Sequence, residues 1–165
     1  MRGKQDPVHK ADDEARAIAK GLLLSARTAA LAVIEPGTGR PFVSRIALGI
    51  SSGGAPMTLV SDLAVHARAM RADPHVSLLV GETGAKGDPM SHPRLTIRAR
   101  AEFIKRGTAL HDAARKAWLE TNPKSKLYVD FADFNFVIFE TLDGHLNAGF
   151  GKAYALGKID LRLTG

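Results

Sequence analysis

The sequence predicts a mainly β chain of the α+β class, a six-stranded antiparallel barrel with flanking helices. Apolar runs of strand length recur along the chain, and the links between most of them are of hairpin length, too short for the crossover that parallel strands need. The order of segments is helix, three strands, helix, two strands, helix, strand, which suits an antiparallel sheet closed on itself with helices at its ends. With 165 residues, 45% of them hydrophobic and 24% charged, the chain is sized and composed for one globular core.

Asp12 to Ala26 opens the pattern with Ala15, Ile18, Ala19, Leu22 and Ala26 at helical spacing, and with Asp12, Asp13 and Glu14 where a helix dipole favours negative charge. Ala29–Ile34 and Phe42–Leu48 flank the Pro- and Gly-punctuated segment 35–40 and read as a hairpin. A Gly-rich turn at Ser51-Ser52-Gly53-Gly54 leads to a third strand at Met57–Val60. Ser61 and Asp62 are good helix caps, and the helix they begin runs from Ala64 to Ala72 before Asp73-Pro74 stops it. Val76–Val80 is a strand, and Gly81–Pro93 a surface loop between paired strands. Arg94 to Phe103 alternates strictly, with Leu95, Ile97, Ala99, Ala101 and Phe103 on one face. Thr108 caps a helix whose buried stripe is Leu110, Ala113, Ala114, Ala117 and Trp118. Phe134–Phe139 is the last strand, followed by a Gly-rich return from Gly144 to Gly151. Trp118, Phe134, Phe136 and Phe139 are expected as packing residues.

The formal charge of +6 favours an anionic ligand. The cations are dispersed, with no run of four and no basic tail, so no nucleic-acid partner is expected. The chain has no cysteine, which excludes disulfides, thiolate metal sites and thiol nucleophiles. No stretch reaches the roughly 18 apolar residues of a membrane span, and Met1-Arg2-Gly3-Lys4 leads into an acidic helix rather than a signal peptide's apolar run. A cytoplasmic protein without a membrane partner is expected. The six histidines form no pair at metal-ligand spacing with a nearby carboxylate, so no metal site is expected, and His9, His75, His92 and His111 read as surface or turn residues.

The segment from Thr58 to Arg68 carries the chemistry. It places the Ser61 hydroxyl at a strand's end, then His66 and Arg68 in the first turns of a helix. A phosphate is held by such a set: free backbone N–H groups at a helix start, a hydroxyl donor and cationic side chains. Arg45, on the neighbouring strand of the hairpin, can supply a second guanidinium. On spacing alone, a capped surface helix with solvated basic residues accounts for the same pattern, and both readings stand.

The pieces Ser44-Arg45-Ile46, Leu59-Val60-Ser61-Asp62-Leu63-Ala64-Val65-His66-Ala67-Arg68, Asp73-Pro74-His75-Val76, Gly87-Asp88-Pro89 and Pro93-Arg94-Leu95-Thr96 occur in order. With Tyr128–Phe134 and Gly149-Phe150-Gly151-Lys152 they resemble the flavin-binding split barrels related to pyridoxamine 5'-phosphate oxidase, and most of all the HugZ-like, haem-utilisation subgroup. The resemblance sets a lead and opening helix at 1–19, an FMN-binding split-barrel domain at 20–156 and a tail at 157–165. It implies a six-stranded Greek-key split barrel and a homodimer with flavin sites at the subunit interface, acting on a small-molecule substrate. It further implies that Arg45, Ser61, His66 and Arg68 hold the flavin phosphate, with Val60 and Asp62 lining the approach by backbone; no catalytic residue is assigned.

The chain departs from the oxidase at two places, Ile50 standing for a Lys and Ala64-Val65-His66 for a Ser-Arg-Lys run. The HugZ-like proteins supply a His near the carboxyl end as iron ligand, whereas this chain has no His beyond Lys152, and His145 does not match that position. Three functions follow as expectations: an FMN-dependent oxidoreductase, a haem-binding protein on the same barrel, and a cofactor-free structural or regulatory dimer. If flavin binds, its ring carries the redox chemistry and the protein orients it.

Overall fold

The computed structural model describes residues 8–163. After β1 (Val8–Lys10), α1 (Asp13–Ser25) starts where local chemistry starts it, with the Asp12 carboxylate accepting the Ala15 N–H at 2.7 Å. β2 (Thr28–Ile34) and β3 (Pro41–Ala47) form the expected hairpin. β4 (Gly49–Ile50) turns through the Gly-rich bend into β5 (Pro56–Ser61), and α2 (Val65–Ala72) leads to β6 (His75–Val80). β7 (Arg94–Phe103), α3 (Ala109–Thr121), β8 (Phe134–Asn147) and β9 (Ala153–Gly157) complete the chain.

The barrel closes as a circuit of antiparallel pairs: β2 with β3, β4 with β5, β5 with β8, β8 with β7, β7 with β6, and β6 with β2. β3 and β4 form one stave interrupted at Leu48, whose N–H leaves the ladder for the Arg27 carbonyl at 2.9 Å. Six staves in Greek-key order therefore stand as the sequence predicts. The circuit is thinnest between β3 and β5, where the two residue pairs of β4 and a bond from the Thr58 hydroxyl to the Ala47 carbonyl, 2.7 Å long, make the only seam among the described residues. The barrel is split there.

Two strands lie beyond the predicted six. β9 pairs antiparallel with the far half of β8, and β1 pairs parallel with β9, which makes nine strands in all. The sequence reading ended the last strand at Phe139 and took Gly144 as the start of a return, whereas β8 continues to Asn147. Gly144 serves close packing: a Cβ there would lie 2.7 Å from Leu161 Cδ1 and 3.2 Å from the Thr96 carbonyl. A bulge also interrupts β8, since Arg98 faces Asp143 and Ala99 faces Thr141, leaving Leu142 unpaired.

The main core fills the barrel with Leu31, Leu78, Leu95, Ile97, Phe139 and Leu146, against which α1 sets Ala15, Ala19 and Leu23. A second cluster joins Met57, Phe136, Ala114 and Trp118, seating α3 on the outside of β5 and β8. Its stripe differs from the predicted one. His111, Ala114 and Trp118 are buried while Leu110 is 53% exposed, because the His111 ring meets the Phe136 ring edge-on at 5.5 Å. Thr108 does cap α3, accepting from the His111 N–H, and the Trp118 indole donates to the Ser125 hydroxyl at 3.0 Å. The segment after β9 packs on the barrel through buried Leu161 and an Arg16–Asp160 pair at 2.6 Å. No described helix is long and apolar enough to cross a membrane.

One flank of the barrel wall is covered by α3; the outer face of β2, β3, β6, β7 and the far half of β8 carries no described element. Alternation decides which side chains stand there.

Candidate functional site

The junction of β5 and α2 is built differently from the sequence expectation. Ser61 and Asp62 do not cap the helix: its N-cap is Ala64, with no side-chain bond. The Ser61 hydroxyl instead donates to the Asp133 carboxylate at 2.6 Å and accepts the Leu63 N–H at 3.2 Å, while the Asp62 N–H reaches the Asp133 carbonyl at 2.7 Å. The Asp62 carboxylate takes the Arg71 guanidinium at 2.9 Å, and that bond holds its carboxyl below the ordinary range. Val60 is buried in the main core, so only its backbone faces the junction.

His66 is half-buried, and its Nδ1 lies 3.0 Å from the Ser44 hydroxyl, tying α2 to β3 beside the split. Burial pushes its imidazole below the ordinary value, so near pH 7 it brings a neutral ring rather than a cation. Arg45 stands on the opposite, outer side of β3 and is exposed, as is Arg68; neither guanidinium has a partner among the described residues. The structure thus joins His66 to Ser44 and Ser61 to Asp133, leaves Arg68 free on α2, and sets Arg45 on the bare flank.

That flank is the larger surface. Cross-strand register lines up Arg45, Ala30, Leu79, Thr96 and His145 in one row from β3 to β8. The next row is Val43, Ala32, Ser77, Arg98 and Asp143, where the Arg98 guanidinium grips the Asp143 carboxylate with two bonds of 2.7 Å. Small side chains pave the middle and guanidinium groups stand around it. Beside the β8 bulge an apolar groove of about 310 Å³ opens on this face, walled by Ala32, Ile34, Pro41, Val76 and Leu142, with His75 and Arg98 at its rim.

His75, a surface or turn residue by its sequence context, has a defined partner in the fold. Its Nδ1 lies 2.8 Å from the Asp73 carboxylate, which also accepts the His75 backbone N–H at 3.0 Å. The backbone bond first, then the imidazole, keep the Asp73 carboxyl below its usual value. The signal was present locally, as a carboxylate two residues before an imidazole with Pro74 fixing the turn between them.

Two groups can be tested against these residues. For a flavin phosphate, Arg45 and Arg68 are free cations, but the Ser61 hydroxyl is engaged by a carboxylate that a dianion would have to displace. For a haem, the bare flank combines apolar walls, guanidinium groups for carboxylates and an imidazole at the groove's edge, which is the donor set such a group takes.

A closed antiparallel barrel, split along one seam and sealed by a short helix, defines the split-barrel class. The chain belongs to the pyridoxamine 5'-phosphate oxidase family, whose profile matches residues 12–141. It is 32% identical over 102 residues to HOZ, a chloroplastic heme oxygenase of Arabidopsis thaliana, a match spanning 62% of this chain and 30% of that protein. Among solved structures it is similar to a heme binding protein from Mycobacterium smegmatis, with a TM-score of 0.81 and 28% identity over 92% of this chain and 61% of the other. The protein Atu2129 from Agrobacterium tumefaciens is similar at a TM-score of 0.79 and 31% identity, over 93% of this chain and 62% of the other. The chain therefore spans less than two thirds of each of these relatives.

Proposed function

We propose that this chain is a cytoplasmic haem-binding protein that works as a homodimer, with haem held on the bare flank of the barrel. The observation that carries the reading is the juxtaposition, on one open face, of an apolar-walled groove with guanidinium and imidazole side chains. The groove takes the apolar macrocycle by burial, and the exposed Arg45 and Arg100 of the same face supply positive charge for its carboxylates. The relatives named as a heme oxygenase and a heme binding protein support the ligand class.

Haem supplies an iron centre when bound. The chain's own part is to bury the ring's apolar edge, pair its negative groups and present a nitrogen donor.

A second reading has one observation in its favour. Arg68 on α2 is unpaired, so an FMN phosphate at the β5–α2 junction, and with it an oxidoreductase acting on a small molecule, has one cation ready there; Arg45, also unpaired, stands on the other side of β3.

One titration separates the readings. Haemin added to the purified chain is expected to give a red-shifted, saturable Soret band, while FMN fluorescence stays unquenched at the same protein concentration. Saturable FMN quenching with an unshifted haemin spectrum would establish the flavoprotein instead, and no response to either favours a cofactor-free dimer.

A further inference from the structure

We infer that His75, oriented by Asp73, is the protein ligand to the haem iron; this deepens the haem reading and rests on it. A ligating imidazole needs one ring nitrogen free of its proton and open to the metal, and the other N–H held by an acceptor that fixes tautomer and ring orientation. All six histidines lie within the described residues, so each can be held against that requirement. His111 is buried against Phe136. The Nδ1 of His66 is taken by Ser44 inside the seam, and Nε2 of His92 lies 3.0 Å from the Lys86 carbonyl in the exposed loop. His9 stands against Tyr154, with ring centroids 6.0 Å apart, on the face opposite the bare flank. His145 is on the flank and exposed, but nothing holds its ring.

His75 meets both conditions and, unlike His92, lines the apolar groove. The Asp73 carboxylate, 2.8 Å from Nδ1, fixes the proton there and leaves Nε2 as the lone-pair nitrogen. The carboxylate is itself anchored, since it accepts the His75 backbone N–H and its residue ends α2 across Pro74, a short link with little freedom. The imidazole is exposed and lines the apolar groove, so a planar ligand seated against Pro41, Ile34 and Leu142 lies beside an available nitrogen. Arg100 is its exposed cross-strand partner and places positive charge beside it, whereas the Arg98 guanidinium on the same strand is taken by Asp143.

The test uses the full chain and haemin, read by absorption and by low-temperature electron paramagnetic resonance. The wild type is expected to show a histidine-ligated spectrum that His75→Ala abolishes and free imidazole restores, while His145→Ala leaves it intact. Asp73→Asn is expected to keep the ligand but weaken haem affinity by roughly 10- to 100-fold, the usual effect of removing the group that orients a ligating histidine. His75→Gln, which keeps side-chain volume, controls for folding, checked by circular dichroism. A His75→Ala chain that retains the wild-type spectrum, or a His145→Ala chain that loses it, overturns the assignment alone. A wild type that leaves the haemin spectrum unchanged overturns the haem reading and this assignment together.

Discussion

Asp133 stitches the junction from a distance of 72 residues, taking the Ser61 hydroxyl with its carboxylate and the Asp62 N–H with its carbonyl. A carboxylate in that place opposes a second anion, both by repulsion and by holding the donor a phosphate would use. Asp133→Asn removes the charge and keeps an oxygen to accept the hydroxyl. On the flavin reading it is expected to tighten FMN binding about tenfold, or about 1.4 kcal/mol, with riboflavin, which lacks the phosphate, unaffected. Fluorescence quenching by both flavins measures this, and an equal change for the two would show that no phosphate docks at the junction. The free guanidinium of Arg68 on α2 gives the anion a reason to bind once that obstacle is gone; Arg45, on the outer side of β3, does not take part.

Among the elements, β8 shows how a glycine can continue a strand. Read locally, Gly144 is a breaker; in the fold it lies 2.7 Å, by its absent Cβ, from the Leu161 side chain that buries against the barrel. Gly144→Ala is expected to destabilise the chain by about 1–3 kcal/mol through overpacking, seen as a lower midpoint in urea with an unchanged slope. An unaltered midpoint would mean that the Leu161 segment yields without cost. The same contrast explains what the sequence made legible. The alternation of β7, the cap Thr108, and the hairpin of β2 and β3 depend on neighbours a few residues apart and are legible; Asp12, expected in the first turn of α1 for its charge, stands one place earlier as its cap. The extension of β8, the burial of His111 against Phe136 and the bond of Ser61 to Asp133 depend on partners 17, 25 and 72 residues away, which no local pattern encodes. The Asp73–His75 pair is local, yet its importance comes from the groove beside it, and that groove exists only once five strands are assembled.

For the whole molecule, the bare flank sets the expected assembly. It exposes Val43 (62%), Leu79 (43%), Ile34 (41%) and Leu142 (43%) on one continuous sheet face, next to small alanines that let a second sheet approach closely. A face of this kind pairs with its own copy about a two-fold axis, each copy presenting the same patch, and a ligand in the groove would then be enclosed from both sides. The mass in solution is expected to be twice that of the 165-residue chain. Val43→Glu and Leu79→Glu place charge at sites already open to water in the single chain, so folding should change by less than about 0.5 kcal/mol. Burying that carboxylate between two copies is costly, and both variants are expected to sediment as monomers at concentrations where the wild type is paired. Haem affinity should fall with them if the ligand is enclosed by both copies, and stay level if one copy's groove suffices. A wild type that sediments as a monomer at every concentration up to crystallisation levels, with or without haemin, would refute the pairing and leave the groove as a site within a single chain.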